Sequence, residues 1–182
     1  MNEMKKHRTI VVIPYNPEWP SQFEAEAAAL RPFFGDNLIA LHHIGSTSVP
    51  RLAAKPTLDL LGVVKSLALV TETRSNFEAL EYKSRGAFGI EGREFFVKGS
   101  PNPTHHLHVF EEGSAEILRH LAFRDYLRAH SKAAQEYAAL KTKLAALYKL
   151  DPLRYQEGKS DWIKRVERQA LEWAAHGNYT SK

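Results

Sequence analysis

Apolar residues recur along this chain with two different spacings, and the change from one to the other organises it. Trp19, Phe23, Ala27, Leu30 and Phe34 fall at i, i+4, i+8, i+11 and i+15, which predicts one face of an amphipathic helix. Ser21-Gln22-Phe23-Glu24 has the form of a capping box, while Asn16-Pro17 offers a start one turn earlier. Ahead of it lies the short β-branched run Thr9 to Ile13, closed by Pro14; behind it Gly35-Asp36-Asn37 ends the helix. Strand-like runs follow at Leu38–Ile44 and Thr57–Val64. In the second, alternation puts Thr57, Asp59 and Leu61 on one face and Leu58, Leu60 and Gly62 on the other. Leu67, Val70, Arg74, Phe77 and Leu80 return to helical spacing, and residues 82–90 read equally as loop or weak strand. Arg93 to Lys98 alternates again, with Arg93, Phe95 and Val97 opposite Glu94, Phe96 and Lys98. The turn Gly99-Ser100-Pro101-Asn102-Pro103 then predicts a hairpin with His105–Phe110.

From Ala115 onward only the helical period remains, over Ala115–Ala129, Lys132–Leu150 and about Tyr155–Ala175. His130-Ser131 and Asp151-Pro152 break it, and the last seven residues read as frayed. The expected class is α+β. A mixed β-sheet flanked by helices occupies residues 1–112, and a three-helix part, residues 113–182, packs on it as one compact unit.

Polar residues at apolar positions add the chemistry. Asp125 falls within the stripe of Ile117, Leu118, Leu121 and Ala122, with Arg124 and Arg128 on its flank. A buried carboxylate is costly unless paired, so Asp125 requires an Arg, Lys or hydroxyl partner. Lys141 shares a face with Tyr137, Leu144 and Tyr148, and Lys159 with Tyr155, Trp162 and Val166. Lysines set among aromatics suit an anionic ligand, because partial dehydration strengthens their charge. The plainer alternative is that each carries its ammonium out to solvent at the edge of the packing. His106 and His108 share a strand face with Phe110, a spacing that reaches one metal or one phosphate.

The segment between the first two long strands does not read as ordinary core. It passes from Gly45-Ser46 through a polar turn and a short apolar helix candidate to Asp59. Backbone N–H groups of a turn that opens a helix form an anion site, and glycine allows close approach. Gly45-Ser46-Thr47-Ser48-Val49 is not a nucleophile elbow, and no Gly-Lys-Ser/Thr makes it a Walker loop.

Composition narrows the classes. The absence of cysteine among 182 residues excludes disulfides, thiolate zinc sites and Cys nucleophiles. The polar start, residues 1–8, and the stop at Pro14 leave no signal-peptide core, and no run reaches membrane-spanning length, so the default expectation is cytoplasmic with no membrane partner. A net charge of +4 with nine histidines suits an anionic small molecule. No basic stripe interleaved with aromatics points to nucleic acid. Nothing in the pattern specifies an oligomeric state.

With these residues in view, the chain resembles the GrpB family from about Val11 to about Ala170. The marks are Val12-Ile13-Pro14-Tyr15, Trp19-Pro20 and Phe23; His43-Ile44-Gly45-Ser46-Thr47-Ser48-Val49-Pro50; Ala54-Lys55-Pro56 with Asp59; His106-Leu107-His108-Val109; Phe123-Arg124-Asp125-Tyr126-Leu127-Arg128; Tyr137 with Lys141; and Tyr155 with Lys159. The family's usual glycine after Val49-Pro50 is Arg51 here. The resemblance implies the nucleotidyltransferase (polymerase-β-like) fold, in which Gly-Ser holds nucleotide phosphates. There an Asp-x-Asp/Glu on the next strand, with a third carboxylate from a later strand, holds divalent metal. Twelve residues separate Ser46 from Asp59, which suits that arrangement, but the second carboxylate position is Leu61 and the later strand offers His106 and His108. One aspartate is a poor ligand set for Mg²⁺, whereas imidazoles favour Zn²⁺ or Mn²⁺ or bind phosphate when protonated. Fusions of this family to dephospho-CoA kinase hint at nucleotide or coenzyme-A metabolism.

Two functions fit this set. One is transfer of a nucleotidyl or related phosphoryl group. Gly45, Ser46 and Thr47 would hold phosphates, and Asp59 a metal or an acceptor proton. His106 and His108 would complete the metal or acid/base set, and Lys55, Arg93, Lys98, Arg124, Lys141 and Lys159 would neutralise phosphate charge. The other is a non-catalytic module for a nucleotide or phosphorylated metabolite, with a degenerate metal site and Asp59 paired to a base such as His108 or Lys55.

Overall fold

The computed structural model describes residues 9–177; the first eight residues, and all of the expected frayed end beyond Gly177, lie outside them. Helix α1 (Trp19–Phe34) leads into strands β1 (Leu38–Ile44) and β2 (Leu58–Val64). Then come α2 (Leu67–Thr73), β3 (Tyr82–Ser84), β4 (Arg93–Lys98) and β5 (His105–Glu111). Helices α3 (Ala115–Ala129), α4 (Ser131–Leu147) and α5 (Pro152–Ala175) complete the described chain. The strands form one mixed sheet in the order β1-β2-β5-β4-β3, with β2 and β5 parallel and the other neighbours antiparallel.

Strand β2 sits between β1 and β5, and each of its residues is buried except Asp59. Toward α1 the sheet turns Leu58, Leu60, Val64, Phe96, Leu107 and Val109, which pack against Trp19, Phe23, Leu30, Phe34 and Phe77. The opposite face carries Ile44, Leu61, Val63 and Phe110, covered by Leu121 of α3. The parallel β2/β5 register sets Asp59 opposite His106 and Leu61 opposite His108.

Besides the cover that Leu121 gives the sheet, the three C-terminal helices are knitted to the earlier chain at two apolar clusters. Val49 and Leu52 pack with Leu127, Tyr137 and Val166, and Ile10 packs with Leu144 and Tyr155. Burying these side chains is the main force fixing the helices in place.

Several boundaries depart from the pattern-based expectation. Helix α1 takes the earlier start: Asn16 Oδ1 accepts the Glu18 N–H at 2.9 Å, and Ser21 Oγ donates back to the Glu18 carbonyl, so the capping box is not used. Thr9 to Ile13 contributes only a bridge between Ile13 and Ala54. The helical run to Leu80 tightens to a 3₁₀ helix from Arg74, and residues 82–90 yield the three-residue β3. Helix α5 begins at Pro152, where Asp151 caps the Arg154 N–H, and α4 stops at Leu147. Ser46–Ser48 is a single 3₁₀ turn leading into an irregular segment, so the short helix expected after Gly45-Ser46 does not form. Among the described residues no helix is long and apolar enough to cross a membrane.

Candidate functional site

Asp59 lies where the first two strands meet the Gly-Ser turn. Its partner in β1 is Ile44, so the chain turns away immediately beside it at Gly45. Gly45 has φ +69°, and a Cβ there would run into Asp59 Oδ2 and stand 3.0 Å from Asp59 Cβ and Cγ. Glycine is therefore required twice, for the left-handed backbone and for the approach of the carboxylate. Ser48 Oγ donates to the Gly45 carbonyl at 2.6 Å, and Thr47 is buried with its hydroxyl 2.9 Å from His43 Nε2. Thr47 thus faces inward, away from any ligand.

Asp59 Oδ1 accepts from His106 Nδ1 at 3.0 Å, and His108 Nε2 stands 3.9 Å from the same oxygen. Enclosure works to raise the carboxyl pKa. The His106 hydrogen bond and the neighbouring His108 outweigh it and hold Asp59 well below the usual carboxylate range. Burial lowers the pKa of His108, against the pull of Asp59. On its other side His108 Nδ1 meets Arg93 Nη1 at 3.4 Å. Arg93 also donates to the carbonyls of Ala87 and Phe88, at 3.1 and 2.8 Å, and its guanidinium lies 4.7 Å from the Phe95 ring centre. Arg93 is thus a brace between the 85–92 turn and His108.

A cationic group adjoins the carboxylate. Burial pushes the pKa of the Tyr137 hydroxyl up, and the neighbouring Ser46, next to Gly45, acts against that shift. Lys141 Nζ lies over the Tyr137 ring at 4.4 Å, and Lys159 and Lys55 lie over the Tyr155 ring at 4.7 and 5.5 Å. Lys141 is only 2% exposed and donates to the Ala53 carbonyl at 2.5 Å. Burial first, then repulsion from Lys159 and Lys55, brings its pKa down to about 7. Tyr155 is wholly buried, and its hydroxyl has no hydrogen-bond partner among the described residues.

Besides the inward Thr47 and the bracing Arg93, two more residues expected at the ligand lie elsewhere. Lys98 projects from the α1 side of the sheet, pairing with Glu26 at 2.9 Å, because it alternates with Arg93 across β4. Arg124 is buried and engages both Asp125 oxygens, at 2.7 and 3.1 Å, while donating to the His43 carbonyl. It supplies the partner that Asp125 needs, and the required pairing is found. Arg128 braces the turn from the same helix by donating twice to the Ser48 carbonyl. The sequence reading did not select Arg128 or Tyr137 for the site. Their places near Asp125 and Lys141, and in the motifs that carry the family resemblance, were the signals.

The donor set does not fit the divalent metal that the fold implies. Leu61, at the second carboxylate position, is fully buried in apolar surroundings. Asp59 Oδ1 is engaged by His106, and Oδ2 lies against Gly45. Arginine can only donate, so His108 Nδ1 accepts from Arg93 and its proton resides on Nε2, the nitrogen nearest Asp59. Asp59 is a carboxylate acceptor, so His106 Nδ1 likewise bears its proton. Each imidazole thus turns an N–H toward Asp59, and an ion shared by the three would have to displace both protons. Among the described residues no group of three or more His, Asp or Glu is arranged to hold a metal ion.

The profile of the GrpB protein family matches residues 9–169. YqkA of Bacillus subtilis is 45% identical over 166 residues, covering 91% of this chain and 48% of the relative. The chain therefore spans about half the length of that relative. The crystal structure of protein GrpB from Enterococcus faecalis superposes with a TM-score of 0.87 at 41% identity, covering 90% of this chain and 99% of that one. The MgGTP-bound Cid1 poly(U) polymerase superposes with a TM-score of 0.50 at 15% identity, over 75% of this chain and 45% of that one. At such identity the likeness is one of fold, the nucleotidyltransferase fold.

Proposed function

The chain belongs to the GrpB family and has the nucleotidyltransferase fold, and on that footing we propose that it binds a nucleotide or another phosphorylated small molecule beside Asp59. The phosphates lie between the Gly45-Ser46 turn and the aromatic faces of α4 and α5, held by Lys55, Lys141 and Lys159. The observation that carries this reading is Lys141. Its amine is dehydrated and stands beside two more lysines, so its charged form is costly in the free protein, and an incoming polyanion relieves that cost. The single 3₁₀ turn after Gly45 contributes at most its backbone, so the lysines bear the charge.

Thermal melts with nucleoside triphosphates, coenzyme-A precursors and pyrophosphate, in EDTA and then with Mg²⁺, Mn²⁺ or Zn²⁺, test this. At a hundred times Kd the expected stabilisation is about 2.7 kcal/mol, or about 5–10 °C for a domain of this size, already in EDTA. Lys141→Met should abolish the response and raise the melting temperature of the free protein. Silence across the whole panel, or an equal response from Lys141→Met, overturns the reading. Stabilisation that appears only with a divalent ion and vanishes in Asp59→Asn would favour metal-assisted transfer instead.

A further inference from the structure

Asp59 and His106 are opposite each other in the parallel β2/β5 register, on one face of the sheet. From that placement the geometry points to a carboxylate–imidazole dyad: Asp59 is the positioning residue, and His106 Nε2 is a metal-free proton acceptor facing the bound ligand. Asp59 Oδ1 accepts the Nδ1–H of His106, which leaves the lone pair of the neutral ring on Nε2. The His106 side chain is 20% exposed, and no hydrogen bond among the described residues reaches Nε2. Gly45 walls the other carboxylate oxygen, so Asp59 has little freedom to swing away from the ring.

His108 has the same residue type two positions along the same strand, and the opposite tautomer. Arg93 donates to its Nδ1, which puts the proton on Nε2 toward Asp59. His108 also packs against Phe95 at 4.9 Å and His120 at 5.4 Å between ring centres. Its Nε2 stands 3.9 Å from Asp59 Oδ1, beyond hydrogen-bond reach, so it aims its N–H dipole at the carboxylate without bonding it, and the basic lone pair belongs to His106 alone. Two neighbouring imidazoles are thereby sorted into base and support by what lies behind each of them.

This inference rests on the phosphate reading for its chemistry. A hydroxyl, from water or an alcohol acceptor, gives its proton to His106 Nε2 as its oxygen bonds to phosphorus. The bond from phosphorus to the leaving phosphate oxygen breaks, and that oxygen keeps the electron pair. Lys141 and Lys159 neutralise the charge it gains. No oxidant or metal enters the balance.

Diethyl pyrocarbonate tests the dyad without knowledge of the ligand. An imidazole lone pair attacks its carbonyl carbon, an N–C bond forms, and ethyl carbonate leaves. Peptide mapping of the free protein at pH 7 should show His106 modified faster than His43, His108 and His120. Asp59→Asn offers an amide donor that reverses the His106 tautomer, and the His106 rate should fall about tenfold or more. Asp59→Glu should restore part of it, and His108→Gln should leave it within about twofold, the direct dyad bond being intact. Two-bond ¹H–¹⁵N correlations on the unmodified protein give an independent reading, since a neutral His106 ring with its proton on Nε2 and none on Nδ1 overturns the assignment. An unchanged rate in Asp59→Asn overturns it too, as does protection of His106 by Mn²⁺ or Zn²⁺ alone. Reactivity of the free protein needs no phosphate ligand. A silent nucleotide panel therefore defeats the ligand reading and not the dyad, and an inert His106 defeats the dyad and not the ligand.

Discussion

The two faces of the sheet come from the same strands and do different work. The face toward α1 is apolar along the central strands, with Leu58, Leu60, Leu107, Val109 and Phe96 buried in one cluster. The opposite face is divided. Ile44, Leu61, Val63 and Phe110 lie under Leu121, while Asp59, His106, His108 and Arg93 form a hydrogen-bonded and charged group beside them. A strand that alternates strictly can therefore carry core and chemistry side by side on one face, provided another element covers only part of it. Here α3 supplies that partial cover.

The largest expected effect falls on the border between the two halves. Leu61→Asp would restore the second carboxylate of the fold's usual set but places an unpaired charge at a fully buried apolar position. A loss of about 3–5 kcal/mol in urea denaturation is expected. A variant as stable as the parent would mean that the site reaches further under α3 than the division allows.

Gly45→Ala comes next. It combines positive-φ strain with collision against Asp59, and a loss of about 1–3 kcal/mol is expected. Adding Asp59→Ala removes the collision with the carboxylate and leaves the Cβ contact and the backbone strain, so the double variant should recover part of the loss. Strict additivity of the two changes would show that the glycine serves the turn alone.

Acid should act on both faces. His43, stacked on Phe23 on the α1 side, and His120, beside His108 and Phe110 on the other, are each pushed down from 6.5 to about 4, chiefly by burial. The unfolded chain then binds more protons than the folded one between those values. The stability from burying neutral rings is fully present above about pH 6.5 and is lost as pH falls toward about 4. Melting temperature should decline over that window, and His43→Gln should flatten the decline. A flat profile from pH 7 to 4.5 in the parent would show that both rings remain accessible to protons.

The smallest effect concerns the position after Val49-Pro50, where Arg51 stands at φ 65°. An exposed arginine in the left-handed region bears strain that glycine lacks, so Arg51→Gly should gain about 0.5–1 kcal/mol, offset by glycine's freer unfolded chain. A lower melting temperature would assign the Arg51 side chain a structural contact.

Local pattern carried far in this chain. The limits of β1, β4 and α3 follow from alternation and helical period, and so do the face-sharing of Asp59 with Leu61 and of His106 with His108. The inward lysines were legible because Lys141 and Lys159 occupy positions in otherwise apolar stripes, and both are buried. Alternation also separated Lys98 from Arg93. It could not say which of them shares a side with Asp59, since that depends on the β4/β5 and β2/β5 registers together. The helix expected after Gly45-Ser46 failed for a related reason: Val49 and Leu52 are drawn into a cluster with Leu127, Tyr137 and Val166, and that tertiary burial overrides the local tendency.

The sequence by itself determined which residues are apolar, at what spacing, and that a glycine, an aspartate and two histidines lie on or beside strands. Those properties reside in covalent geometry and side-chain chemistry, which act over a few residues. Tertiary structure alone decided that Asp59 meets His106, that Arg93 reaches behind His108, and that Tyr137 touches Ser46 beneath Lys141. Each of these contacts joins residues far apart in the chain. The proton on each imidazole, and with it the division into base and support, follows from those contacts because a hydrogen-bond partner selects the tautomer.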